Sequence, residues 1–183
     1  RPRGAPLGGR GRMAPPSQPN SQSGVPRLAA AILTAAATIT AVEAAPWHEG
    51  LPNVKVLRPG QPITSIAANV YTSQRASDSA QFNTNRFALL LTPGDYGDAA
   101  MQIGYYTSVV GVGRDPGDVR LGSVYSTNNV EGGATMNFWR SVEGVTMTAE
   151  HVVWAVSQGA PLRRSVIENI LHLSDIGGWS SGG

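Results

Sequence analysis

The 183 residues contain no cysteine, which excludes disulfide cross-links and thiolate chemistry; it does not exclude export, since a sizeable core needs no covalent staples. Charge is scarce as well, at 14% Asp, Glu, Lys and Arg. No apolar run reaches the roughly 20 residues that span a bilayer. Gly-Lys-Ser/Thr never occurs, which removes a Walker loop, and the absence of G-x-S-x-G removes the usual serine-hydrolase elbow. Gly111 and Gly113 begin a dinucleotide-binding pattern, but Pro116 occupies the place of the third glycine. The "GDVRLGSV" that follows reads as a strand, so no helix N-terminus is offered to a phosphate.

What is present is a turn-rich chain, with 22 Gly and 13 Pro and 41% hydrophobic residues. That composition favours β architecture. The pI near 9.3 has a local source. Five arginines lie in the first 27 residues, and from Ala45 onward 9 basic residues face 11 acidic ones. A nucleic-acid surface, which needs clustered Lys and Arg on one face, is not expected.

Residues 1–44 read as a leader and signal peptide. Arg27 precedes an uncharged run from Leu28 to Val42, and Val42-Glu43-Ala44 offers a small-residue cleavage site, with Met13 the expected start. The mature chain is therefore expected to be secreted, without a membrane anchor after cleavage. Residues 45–85 form an N-terminal lead-in: a short strand Val54 to Leu57, then a helix in "QPITSIAANVYTSQ", where Ile63, Ile66, Val70 and the adjacent Tyr71 recur at helical spacing. The polar "RASDSAQFNTN" follows as a loop. From Arg86 to residue 183, short apolar runs ("FALLLT", "MQIGYYTSVVGVG", "VRLGSV", "TMNFWRSVEGVTM", "VVWAVS", "SVIENILHLSD") alternate with Gly, Pro, Asp and Asn, the texture of strands and turns. Their roughly regular spacing without a repeated motif fits a solenoid of degenerate coils, about four at roughly 20 to 30 residues each. In this reading the glycines of "VVGVG" sit where coils pack closely, Asp115-Pro116-Gly117 makes a corner, and the Tyr96 ring folds back over the core.

The runs "RFALLLTPGDY", "QIGYYTSVVGVGRDPGDV", "MNFWRSVEGVTM" and "VWAVSQGAPLRRSVIENILHLSD", with "NVKVLRPGQPITSIAANVY" upstream, resemble in order the N-terminal half of a secreted actinobacterial and fungal β-helix family. That family is similar to the pectate-lyase superfamily and its β-helical β-1,3-glucanases. The resemblance implies an all-β, right-handed parallel β-helix of the pectin-lyase type with an N-terminal capping helix. It also implies that the chain is an N-terminal piece, since the family continues through more coils after "GGWSSGG". "VEGGA" (Val130–Ala134) and "TAEHVV" (Thr148–Val153) are shorter or less regular than the family's corners.

Sugar-cleaving β-helix enzymes commonly use carboxylates on one sheet face. Most acids here (Asp95, Asp98, Asp115, Asp118 among them) stand beside Gly or Pro, where turn formation accounts for them. Asp175, following the strand "ILHLS", is the catalytic candidate. Trp139, Trp154 and Arg163, with Arg140 and Arg164 nearby, are the substrate-binding candidates: aromatic faces suit a sugar ring and arginines an acidic polysaccharide. The competing expectation places both tryptophans in the core and the arginines at coil edges. His48, His151 and His172 share no ligand spacing, so neither a metal site nor a cofactor is expected. Two functions stay open. One is a polysaccharide-acting glycoside hydrolase or lyase with most of its active site beyond residue 183; the other is a non-catalytic extracellular carbohydrate-binding or surface module.

Overall fold

The computed structural model describes residues 45–75, 78–127, 136–175 and 178–179. The leader and the Val130–Ala134 corner lie outside the described residues.

β1 (Val54–Leu57) enters first. α1 (Ile63–Gln74) follows, beginning directly after Pro62 and burying Ile63, Ala67, Val70 and Gln74. A proline at a helix start forgoes only a donor that would have had no intrahelical partner. The helix covers the first rung: Ile63, Ala67 and Val70 share one cluster with Leu57, Leu89, Met101 and Ile103. Its last residue is tied into that rung, where Gln74 Nε2 donates to the Tyr105 carbonyl at 2.8 Å. In the segment expected to be a loop, one further turn forms, α2 (Asp78–Gln81).

Four rungs follow. They are β2 (Phe87–Leu91), β3 (Gly94–Asp95) and β4 (Ala100–Gln102); β5 (Thr107–Gly111), β6 (Val119–Leu121) and β7 (Ser123–Tyr125); β8 (Ser141–Glu143), β9 (Thr146–Met147) and β10 (His151–Val153); β11 (Leu162–Arg163), β12 (Val166–Ile167) and β13 (Ile170–His172). Each strand pairs with its counterpart in the next rung. The first face runs β1-β2-β5-β8-β11 and the second β3-β6-β9-β12. The third consists of β4-β7 and β10-β13, joined by a parallel bridge between Ser126 and Trp154. All of these pairings are parallel. The chain is a parallel β-helix, the solenoid that the run spacing fits and the architecture that the family resemblance implies. An antiparallel pair, β14 (Ser174–Asp175) with β15 (Gly178–Trp179), follows the last rung.

Register puts like with like inside the coil. Leu89, Val109 and Val142 are stacked partners on the first face. Val119, Leu121 and Met147 on the second and Met101, Val124 and Val152 on the third complete a core without solvent access. Small residues mark the closest approaches. A Cβ on Gly111 would lie 2.0 Å from the Gly144 carbonyl oxygen of the next rung, and one on Gly113 would lie 2.4 Å from the Asp118 side chain. The glycines therefore serve chain geometry. Beside them Asp115 and Asp118 close a reciprocal capping box around a 3-10 turn, Pro116–Asp118. Tyr96 packs against the core and its hydroxyl donates to the carbonyls of Leu57 and Thr92, both at 2.8 Å. Among the described residues no helix is long and apolar enough to cross a membrane.

Candidate functional site

The chain turns into the first face at a corner repeated from rung to rung. Pairing of Phe87 with Thr107, Ser108 with Ser141 and Val142 with Leu162 puts Arg86, Tyr106, Trp139 and Gly159 one above another. Backbone bonds follow that order: Phe87 N donates to Tyr106 O at 2.9 Å and Tyr106 N to Trp139 O at 2.5 Å. Tyr106 (φ 53°), Trp139 (φ 56°) and Gly159 (φ 60°) all adopt the left-handed conformation. Glycine takes it freely, whereas a bulky residue gives up about 1–2 kcal/mol to do so. Two large aromatics nevertheless occupy this corner.

Their rings form a column along the solenoid axis. The Arg86 guanidinium lies 3.4 Å from the centre of the Tyr106 ring. The Tyr106 and Trp139 rings are stacked, with centroids 5.4 Å apart and planes within 13°. Tyr106 Oη donates to the Gln81 carbonyl at 2.7 Å, anchoring the column on α2. Gly159, the next position along, adds no side chain, and a Cβ there would stand 3.1 Å from Trp139 Cδ1. Trp139 remains 41% exposed.

Beside the column runs an open groove of about 570 Å³ whose lining includes Arg86, Tyr106, Trp139, Ser108 and Ser141. Its floor is the outward row of the first face, where Val54, Ala88, Ser108 and Ser141 follow in register. Their side chains are short, and Ser141 Oγ donates to Ser108 Oγ at 2.8 Å. The result is a shallow channel crossing the rungs, with an aromatic wall and hydroxyls on its floor.

The four candidate residues fall in different places. Trp139 forms the wall. Trp154 is 3% exposed in the core, its Nε1 donating to the Ala160 carbonyl at 3.1 Å. Arg163 stands in register with Glu143 on the first face and binds its Oε2 through Nε at 3.0 Å and Nη2 at 2.7 Å. Arg164 reaches the other oxygen at 3.4 Å. Asp175 belongs to β14 and is not part of the groove lining.

Arg140 contributes to the groove lining but is buried, not at a coil edge. At 4% exposure it points inward and donates Nη1 to the Ile103 carbonyl at 2.7 Å and to Ser126 Oγ at 3.1 Å. Burial pushes its guanidinium down to about 10, which the nearby Tyr105 and Tyr71 partly offset. Its cation ties two rungs together from within.

Tyr106, Arg86 and the two serines were not singled out from the sequence, although a signal exists. Tyr105-Tyr106-Thr107-Ser108-Val109 and Phe138-Trp139-Arg140-Ser141-Val142 share an aromatic pair, one variable residue and Ser-Val.

No family model matches this chain. An exo-β-1,3-glucanase from Streptomyces sp. (strain SirexAA-E / ActE) is 38% identical over 193 residues, covering 94% of this chain and 32% of that protein. The solved structure of sacteLam55A from Streptomyces sp. SirexAA-E superposes with a TM-score of 0.67 at 42% identity, over 72% of this chain and 25% of that one. An ensemble refinement of a variant of sacteLam55A in complex with glucose gives the same TM-score and identity, over 72% of this chain and 24% of that one. The chain thus spans about a third of the curated relative it matches.

Proposed function

We propose that this chain is part of a secreted β-helical glycoside hydrolase acting on β-1,3-glucan, and that the groove beside Trp139 holds glucan. The observation that carries the reading is the conjunction of an aromatic column held in left-handed corners with 38% identity, over 94% of the chain, to a protein named an exo-β-1,3-glucanase. Backbone strain retained at bulky residues is a mark of a functional corner. The leader pattern in residues 1–44 supports export. Right-handed winding of the pectate-lyase type is part of the same proposal, supported by the strong handedness preference of parallel crossovers.

A sugar's C–H face stacks on an aromatic ring, while hydroxyls such as those of Ser108 and Ser141 exchange hydrogen bonds with sugar hydroxyls. Neither contact breaks a glycosidic bond, which calls for two carboxyl groups in defined separation. The carboxylate on this face, Glu143, has both oxygens engaged by Arg163 and Arg164. That engagement favours, as the second reading, a carbohydrate-binding platform without chemistry of its own.

The test is co-sedimentation of the full chain with insoluble β-1,3-glucan and with cellulose, alongside reducing-sugar release. Retention on the β-1,3-glucan, weakened about tenfold by Trp139→Ala as expected for loss of about 1.4 kcal/mol of stacking, supports the site. Sugar release supports the hydrolase, and retention without release supports the platform. Equal retention on both glucans, or a Trp139→Ala protein that binds as before, refutes the assignment.

A further inference from the structure

The three histidines share no ligand spacing along the chain, yet the solenoid brings two of them together. On the third face His151 pairs in register with Ile170 and Val153 with His172. His151 and His172 are therefore diagonal neighbours on adjacent rungs. Val152 and its register partner Leu171 face the core, so the adjacent His151 and His172 both project from the opposite, solvent side. His151 Nδ1 and His172 Nε2 share a hydrogen bond at 2.8 Å, with ring centroids at 5.0 Å. The Glu150 carboxylate lies 3.7 Å from the remaining nitrogen, His151 Nε2.

We infer that His151 and His172 form a two-imidazole site for a late first-row divalent metal ion, copper(II) foremost. The spacing is close enough for both rings to share one ion. Two imidazole nitrogens held at about 2.0–2.1 Å from one ion are about 2.9 Å apart when they subtend a right angle and about 3.3 Å apart at a tetrahedral angle. The hydrogen-bonded nitrogens already stand near the right-angle span of adjacent positions in a tetragonal copper(II) or nickel(II) site, so an ion that replaces the bridging proton requires the rings to turn and not the strands to move. Neutral imidazole suits these ions, and copper(II) binds such donors most strongly among the first-row dications. Because the strands are fixed by the β-helix, the pair is gathered before the ion arrives, and binding the first nitrogen presents the second at high effective concentration. Glu150, exposed at the rim, stands where a carboxylate commonly orients a metal-bound imidazole. Among the described residues no group of three or more His, Cys, Asp or Glu side chains is placed to hold a metal ion together, so water fills the other positions and the ion exchanges.

The experiment is titration of the full chain, purified without a histidine tag, with copper(II), followed by calorimetry and electron paramagnetic resonance. One equivalent should bind with a tetragonal signal carrying two equatorial nitrogens. His151→Ala and His172→Ala should each weaken binding at least about tenfold by removing the chelate partner, and His48→Ala should leave it unchanged. Thermal unfolding without metal should be alike for all, since both rings face solvent; His172→Gln, which keeps size and polarity, is the second variant if an alanine protein does not fold. An unchanged signal and affinity in the His151→Ala/His172→Ala protein, or no bound equivalent in the parent chain, overturns the site.

Discussion

At the scale of single residues, two kinds of backbone exception shape this molecule. Tyr106 and Trp139 accept a left-handed conformation that a glycine in the same column, Gly159, adopts freely. Gly104 shows the opposite constraint, because a Cβ there would stand 1.9 Å from the Gln74 carbonyl oxygen at the end of α1. Backbone cannot yield as a flexible side chain does, so Gly104→Ala should destabilise the fold by about 3 kcal/mol, read from the denaturant midpoint. The sequence reveals which residue types can stack on a sugar but not which way they face. Trp139 and Trp154 look alike as letters, yet one ring is on the groove wall and the other in the core. Rung-to-rung register decides between them.

Among the elements, strands were the most legible. β1, α1 and β2 fall where their hydrophobic patterns put them, because a period of two or of 3.6 residues reports which face is buried. Contacts between rungs are less legible, since partners lie a full coil apart. The pair Arg120–Glu168, at 2.7 Å, joins the strand β6 to the turn after β12, with the rung of β9 between them. Its hydrogen bond to Arg120 holds the Glu168 carboxyl below its ordinary value of 4.5. The unfolded chain therefore takes up this proton at higher pH than the folded one. The pair's contribution is present above the unfolded pKa and is lost as pH falls through the lower folded value. Glu168→Gln should flatten this part of the acid-side fall in thermal stability, with the difference between parent and variant shrinking in high salt because the pair is half exposed. The His151–His172 contact was hidden for the same reason: the two rings stand twenty-one positions apart in the chain, a spacing that means something only once the coil length is known.

Taken whole, the molecule derives its stability from stacked aliphatic rows rather than from cross-links. Leu89, Val109 and Val142 share one such row, and none has solvent access. Removing the central mass of Leu89 by Leu89→Ala leaves a cavity that neighbouring rungs cannot close, at a cost of about 3 kcal/mol in equilibrium unfolding. The parallel β-helix with its helical cap was implied by the family resemblance, whereas a solenoid of short strands was readable from composition, turn residues and run spacing together. The groove was not, because it arises where one outward row of short side chains meets a repeated corner. The measurement that tests this account most directly is a crystal structure of the chain soaked with a β-1,3-gluco-oligosaccharide. Sugar rings stacked on Trp139, above the Ser108–Ser141 row, are the predicted result. Oligosaccharide bound on another face with the Trp139 column bare, or strands of the first face paired antiparallel, would contradict it.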